Sequence, residues 1–450
     1  MSGMENLSRF DRTRLPIHEA FASLFALLVL LSLAGCLGAE PGSSPDGEVL
    51  RVGTSGDYRP FSSMQDGETT QLGGFSIDLG QAYAAATGRR IEWVPFAWPE
   101  LADDLEAGRF DLALSGVTVR ADRSIAGRFS LPVTVSGAVL LIRADGPLTD
   151  HGALVPTDPT AVPALRFAVN AGGHLERTAR KLFPDAEIVP VPDNGSVLDQ
   201  IDAPEIDGVM TDSLEAPHWL ARRPDLMAIG PLTRDRKAAW FPIQGETERA
   251  RFDAWLLRAE GDGTLAALRA RHGLPPDRTA EPISALLALL DDRLSLMTEV
   301  ARVKQVIGRP IEDPAREEKV LDAAVSAVQR ETVARSVAPP DAASIRDFYQ
   351  AQIEAAKSIQ RTWTQANPGS ASAENEASFA AAQSRLGDEV RPALIDLGDG
   401  IARLVVESGA AGDAPLSLGQ VEAGLARHEL PQANLIAIHA GLARMLRPTP

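Results

Sequence analysis

Cysteine is nearly absent. Cys36 is the single one in 450 residues, so no disulfide can close within the chain. Basic residues are in deficit, 44 against 61 acidic ones, for a formal net charge of -17. A surface that acidic argues against nucleic acid as a partner, because phosphate binding needs a basic face. Long apolar runs are missing too: the stretch 21–33 is too short for a membrane-spanning helix. What remains, with 44% hydrophobic residues, reads as soluble globular protein, long enough for two or three domains.

The short apolar run belongs to a leader. Arg9, Arg12 and Arg14 precede it and Leu33-Ala34-Gly35-Cys36 closes it, the charge, apolar length and small residues of a secretory signal. A flexible Gly/Ser/Pro-rich linker follows, 37–48. The ending resembles the bacterial lipoprotein box. That resemblance implies a signal peptide over 1–36, lipid on Cys36, and an exported chain anchored to a membrane in the periplasm or cell envelope. A simple cleaved signal is the alternative.

From 49 to 274 apolar runs alternate with helical patterns: strands at 49–53, 91–94, 111–114, 138–142, 166–169, 188–191 and 208–210, with a helix at 101–107 among them. Such alternation predicts a mostly parallel sheet covered by helices. Arg51-Val52-Gly53-Thr54-Ser55-Gly56-Asp57-Tyr58-Arg59-Pro60-Phe61, Gly74-Phe75-Ser76-Ile77-Asp78-Leu79, Trp98-Pro99 and Phe110-Asp111-Leu112-Ala113-Leu114-Ser115-Gly116-Val117-Thr118, with Arg123, carry a further likeness. The segment resembles the type II periplasmic solute-binding proteins and, within them, the cyclohexadienyl dehydratases. The resemblance implies two lobes, one formed by 49–142 with 240–272 and the other between them. It implies that Arg123 clamps a ligand carboxylate with Thr118 assisting, and that Glu215, just after the 208–210 strand, is the general acid. Asn170 falls at a strand-to-helix turn where backbone amides meet an anion. Trp98 would cover a substrate ring and Asp57 orient a hydroxyl or the acid. One departure stands out: Asn170-Ala171-Gly172-Gly173-His174-Leu175-Glu176 has His174 and Leu175 where the family has threonine and asparagine.

A Pro-rich linker, 275–282, leads into a region with only helical patterns, 283–450. Lys304 lies eleven residues after Arg293. At ~3.6 residues per turn both cations share one helix face, about 16 Å apart. The helix ends at Gly308-Arg309-Pro310, and Asp313-Pro314 reads as an N-cap followed by proline at the first helical position. Arg316 and Glu317 ride on that second helix. A third runs from Asp341 to about Gln365, with Ile345, Phe348, Tyr349, Ile353, Ile359 and Trp363 as its buried stripe and Gln360 beside it. These spacings resemble the all-helical chorismate mutases, and the extra C-terminal length resembles their secreted subclass. The resemblance implies that Arg293 and Arg316 hold the two carboxylates of chorismate, that Lys304 and Gln360 donate to its ether oxygen, and that Asp313 and Glu317 receive the hydroxyl and orient the cations. Ala356 stands where the family often has serine or threonine.

Together the resemblances imply an α/β two-lobed domain followed by an all-α one, and a bifunctional enzyme. Chorismate would become prephenate in the helical domain. Prephenate, or its amino counterpart arogenate, would then lose water and CO2 in the cleft. Neither step calls for a cofactor or a metal. The alternative is a mutase fused to a non-catalytic solute-binding domain that senses or captures an amino acid or aromatic acid. Oligomeric state is open.

Overall fold

The computed structural model describes residues 48–65, 71–146, 165–369, 376–411 and 416–446. Cys36 and the leader lie outside the described residues. Two five-stranded sheets form the first half of the chain. In one, Val49–Thr54 runs parallel to Arg90–Pro95 and Leu112–Ala113, and Trp240–Phe241 closes it antiparallel between Leu112–Ala113 and Arg128–Phe129. In the other, Arg166–Asn170 runs parallel to Glu187–Val191 and Gly208–Asp212, while Ala138–Arg143 pairs antiparallel with Gly208–Asp212 and Leu226–Ile229. Each sheet is thus parallel on one side only, not mostly parallel throughout. Ala138–Arg143, expected in the first lobe, belongs to the second. Its five buried residues sit between two antiparallel partner strands, so its place follows from that pairing.

The lobes are joined by an antiparallel pair, Thr134–Ser136 with Asp235–Lys237. Helix Phe75–Thr87 starts where only glycine fits: Gly74 has φ 126, and a Cβ there would lie 2.4 Å from the Phe61 carbonyl oxygen.

The second half is all helix. The single helix expected to carry both Arg293 and Lys304 is interrupted, as Pro282–Ser295 and Met297–Val306, with Leu296 between them. Ser295 Oγ donates back to the Asp291 carbonyl at 2.7 Å, a competitor for the helical ladder that bends helices. Leu296 stays right-handed (φ -75, ψ -11), so the shared face survives. Helix Pro314–Arg335 begins as expected: Asp313 caps it by accepting from the Arg316 N–H at 3.1 Å, and Glu317 reaches back to the Asp313 N–H at 3.2 Å. Helix Ala342–Ala366 carries the expected stripe, although Trp363 is only half-buried.

The connecting stretch is tied down rather than loose. Thr279 Oγ1 donates to the Pro132 carbonyl at 2.7 Å and accepts from Arg269 at 2.9 Å, and the Ala280 N–H donates to Glu260 at 3.0 Å. One apolar core runs from Leu50 through Leu286 to Met445. Charged contacts reinforce it: buried Asp253 receives Arg249 at 2.9 Å and Arg403 at 3.1 Å, and Arg236 pairs with both Asp291 and Asp292. Burial raises the Asp292 carboxyl above its ordinary range despite Arg236, whereas Asp291, also facing Arg427 and His428, is held below it. Arg236→Ala leaves two adjacent buried carboxylates short of a counter-ion. A stability loss of about 3 kcal/mol is expected, read as a lower denaturant midpoint.

Candidate functional site

A cavity of about 280 Å³ opens among the helices. All six residues singled out in this region line it: Arg293, Lys304, Asp313, Arg316, Glu317 and Gln360. They come from four helices and one cap. Arg391 joins them at the start of helix Arg391–Ala411, just after the π-turn Arg385–Val390.

The cations are crowded, and three of them have no ion pair of their own. Among the described residues, neither Arg293, Arg316 nor Arg391 makes a side-chain hydrogen bond or ion pair, and Arg293 Nε is buried without a partner. Burial lowers the Arg293 pKa, with nearby Tyr349 acting the other way. Burial and then Arg316 lower that of Lys304, whose ammonium donates to the Ile311 carbonyl at 2.9 Å. Burial, Arg316 and Arg309 lower that of Arg391. Glu317 brings little relief, because its second oxygen is taken by Lys357 at 3.1 Å. Asp313 and Glu317 therefore spend much of their hydrogen-bonding capacity on the helix start and on Lys357. Gln360 is 5% exposed; its amide donates to the Ala356 carbonyl at 3.3 Å and its Oε1 has no partner. The cavity wall thus carries more positive than negative side chains, an arrangement that suits an anionic small molecule.

The cleft of the α/β half is narrower. Arg123, Thr118, Trp98 and Asn170 line it as expected, with His174 and Leu175 from the altered segment. Arg123 donates to the Thr118 carbonyl at 3.2 Å, lies over the Trp240 ring and has no ion pair among the described residues. Burial, then Arg120, push its pKa down to about 9. Asn170 Nδ2 is buried without a partner. His174 is engaged with Asp235 at 2.9 Å.

Glu215 and Asp57 stand behind the wall rather than on it. Glu215 is 3% exposed and accepts from Thr211 Oγ1 at 2.7 Å and from Asn194 Nδ2 at 3.1 Å. The same Asn194 amide reaches the Asp57 carbonyl at 3.1 Å, and Trp98 Nε1 donates to the Asp57 carboxylate at 3.1 Å. Burial pushes the Glu215 pKa up to about 8, with Asp212 and Asp57 adding to the effect and the Thr211 and Asn194 bonds opposing it. At neutral pH it holds its proton.

Three residues escaped sequence reading. Arg391 follows Gln360 by a stretch with no fixed offset. Asn194, in Asp193-Asn194-Gly195-Ser196, reads as an ordinary turn. Lys237 falls in the crossover segment, where alternation with Asp235 is the only available signal.

Residues 50–275 match the bacterial extracellular solute-binding proteins, family 3, and residues 284–361 match chorismate mutase type II. Over 220 residues the chain is 33% identical to the cyclohexadienyl dehydratase of Pseudomonas aeruginosa, covering 48% of this chain and 80% of that protein. It is 25% identical over 223 residues to the L-cystine-binding protein TcyJ of Escherichia coli, covering 49% and 80%. A solved structure of an ancestral amino acid-binding protein, a precursor of cyclohexadienyl dehydratase, is 26% identical with a TM-score of 0.45, covering 50% of this chain and 95% of that one. The chain belongs to the family 3 extracellular solute-binding proteins. Its solute-binding domain resembles cyclohexadienyl dehydratase and is fused to a type II chorismate mutase domain, whose matched span ends thirty residues before Arg391.

The Glu215 carboxyl makes stability depend on pH. The folded chain keeps this proton to about pH 8, whereas an unfolded glutamate releases it near 4.5. The folded state thus binds more protons, and stability falls as pH rises across that interval. Glu215→Gln removes the loss. Its thermal midpoint should match the parent's below pH 4.5 and exceed it increasingly up to about pH 8, by the equivalent of several kcal/mol.

Proposed function

We propose that the chain is a bifunctional enzyme that turns chorismate into prephenate in the helical cavity and prephenate into phenylpyruvate in the cleft. The observation that carries the reading is the set of cations, Arg293, Arg316 and Arg391 without ion pairs of their own, around one cavity of about 280 Å³. Chorismate rearranges by breaking its ether C–O bond as a new C–C bond forms. No nucleophile or proton transfer is needed. Arg293 and Arg316, with Arg391, hold the two carboxylates so that the reacting ends meet, and Lys304 and the Gln360 amide donate to the ether oxygen as negative charge builds on it. Restriction to the reactive conformer and donors already in place lower the barrier. Asp313 and Glu317 receive the substrate hydroxyl from positions they already occupy as helix-capping groups.

In the cleft, Arg123 with Thr118 and Asn170 clamps the carboxylates, and Trp98 covers the ring. Glu215 gives its proton to the ring hydroxyl, which leaves as water. The ring carboxylate leaves as CO2, and the electron pair of its C–C bond completes the aromatic ring. A carboxyl that stays protonated at neutral pH supports this role. Asp57 orients the region through Trp98 and Asn194.

One observation favours a second reading. Glu215 lies behind Asn194, so substrate reaches its proton only if that amide turns aside. A non-catalytic domain that captures an amino acid or aromatic acid would need no such movement. The leader and Cys36 support export and a lipid anchor in the cell envelope.

Purified mature protein mixed with chorismate tests both steps. Prephenate should appear first and phenylpyruvate after it, and Glu215→Gln should stop the sequence at prephenate. Prephenate accumulating in the unaltered protein would instead favour the capture domain, and no loss of chorismate would overturn the mutase reading. Because glutamine donates at any pH, mutase turnover should stay level from about pH 5 to 8, whereas Gln360→Glu should introduce a steep loss as the new carboxyl ionises.

A further inference from the structure

A second cavity, of about 300 Å³, lies at the π-turn Arg385–Val390. It shares Arg309, Leu386 and Arg391 with the helical cavity, so the two adjoin. Arg309 is fixed by its backbone. Helix Met297–Val306 ends with Gly308 at φ 63, and the Arg309 N–H donates to the Lys304 carbonyl at 2.8 Å, the pairing that closes many helix C-termini. Pro310 then confines Arg309 to extended backbone.

The side chain of Arg309 is free by contrast. It is exposed and, among the described residues, makes no hydrogen bond or ion pair. Glu312, three residues on, is taken by Arg361. Asp388 is the one carboxylate among the described residues of the second cavity's wall; it accepts from Ser384 Oγ at 2.6 Å and pairs with no cation. Arg309 is close enough to Arg391 to act on it, since burial, Arg316 and then Arg309 disfavour the charged form of Arg391.

A dianion approaching this chain meets a formal net charge of -17, which repels it. The cations inside the helical cavity reach only about 8 Å into a solution of physiological ionic strength. An exposed guanidinium on the wall common to both cavities carries the positive field outward.

We propose that Arg309 and the adjoining cavity form an outer anion subsite, which takes one carboxylate of an incoming dicarboxylate and passes it to Arg391 in the helical cavity. In naming chorismate as that dicarboxylate the inference rests on the mutase role proposed above. The subsite itself asks only for a small dicarboxylate. It also asks for charge rather than a fixed guanidinium geometry, so lysine should serve in place of Arg309.

The test compares the full chain with Arg309→Gln, Arg309→Lys and Asp388→Asn at about 10 mM and about 1 M salt, where charges are screened over about 30 Å and about 3 Å. Two quantities are read: kcat and kcat/KM for chorismate, and calorimetric affinity for a rigid bicyclic ether dicarboxylate. At low salt Arg309→Gln should lower kcat/KM about fivefold with kcat held within about 1.5-fold, and Asp388→Asn should raise kcat/KM about twofold. Both differences should shrink below about 1.5-fold at high salt. Arg309→Lys should keep the parent's values, and dicarboxylate affinity should follow kcat/KM across the set. Parent-like kcat/KM for Arg309→Gln at low salt would overturn the proposal. So would a fall in kcat, a loss that persists at high salt, or a lysine variant that behaves like the glutamine one, since each marks a group fixed in the reacting site or in the fold. The two readings fail separately. Salt-sensitive dicarboxylate affinity that needs Arg309, in a chain that consumes no chorismate, keeps the subsite and removes the mutase. Consumption of chorismate indifferent to Arg309 at both salt concentrations does the reverse.

Discussion

Like charges gathered on one wall, most of them without an ion pair of their own, are the constraint around which the helical half is built. Arg293, Lys304, Arg316 and Arg391 face one cavity. Burial disfavours the charged state of Arg293, Lys304 and Arg391, and Arg316 adds repulsion on the last two. The surrounding structure has to hold the array open. The Asp313 cap fixes the first turn that carries Arg316, Lys357 draws Glu317 away from the cations, and Asp291 and Asp292, the two residues before Arg293, are gripped by Arg236. A wall held in place by these contacts leaves little to rearrange when an anion binds.

The grip on Asp291 and Asp292 comes from the strand that shapes the cleft. In Asp235–Lys237, side chains alternate as strand geometry requires. Asp235 and Lys237 reach His174 and Asp212 in the α/β half, and Arg236 reaches the helical half. Three consecutive residues therefore serve both pockets. The Arg249 and Arg403 contacts to Asp253 and the pinned Thr279 extend this junction, so the two matched families share one continuous core.

The helical half was largely legible. An eleven-residue interval, an Asp-Pro helix start and a stripe at helical spacing are local signals, and all three survived, because the bend at Leu296 does not turn the face. The α/β half was legible in its elements but not in its connections. Periodicity identified Ala138–Arg143 as a strand, yet which sheet it joins depends on antiparallel partners more than sixty residues away. The same distance hid Lys237 and Asn194, whose importance comes from what the fold sets beside them. Glu215 was singled out through the family resemblance, just after a strand, whereas its burial behind Asn194 left no trace in the sequence.

The account turns on whether the array of cations grips a folded dianion. Equilibrium binding of a rigid bicyclic ether dicarboxylate, shaped like the reactive conformer of chorismate, measures this directly. One molecule should bind per chain, and Arg391→Met should weaken it roughly 30-fold while stabilising the unliganded protein by about 1 kcal/mol through relief of repulsion. Binding no tighter than that of a flexible linear dicarboxylate, or an affinity indifferent to Arg391, would contradict the account.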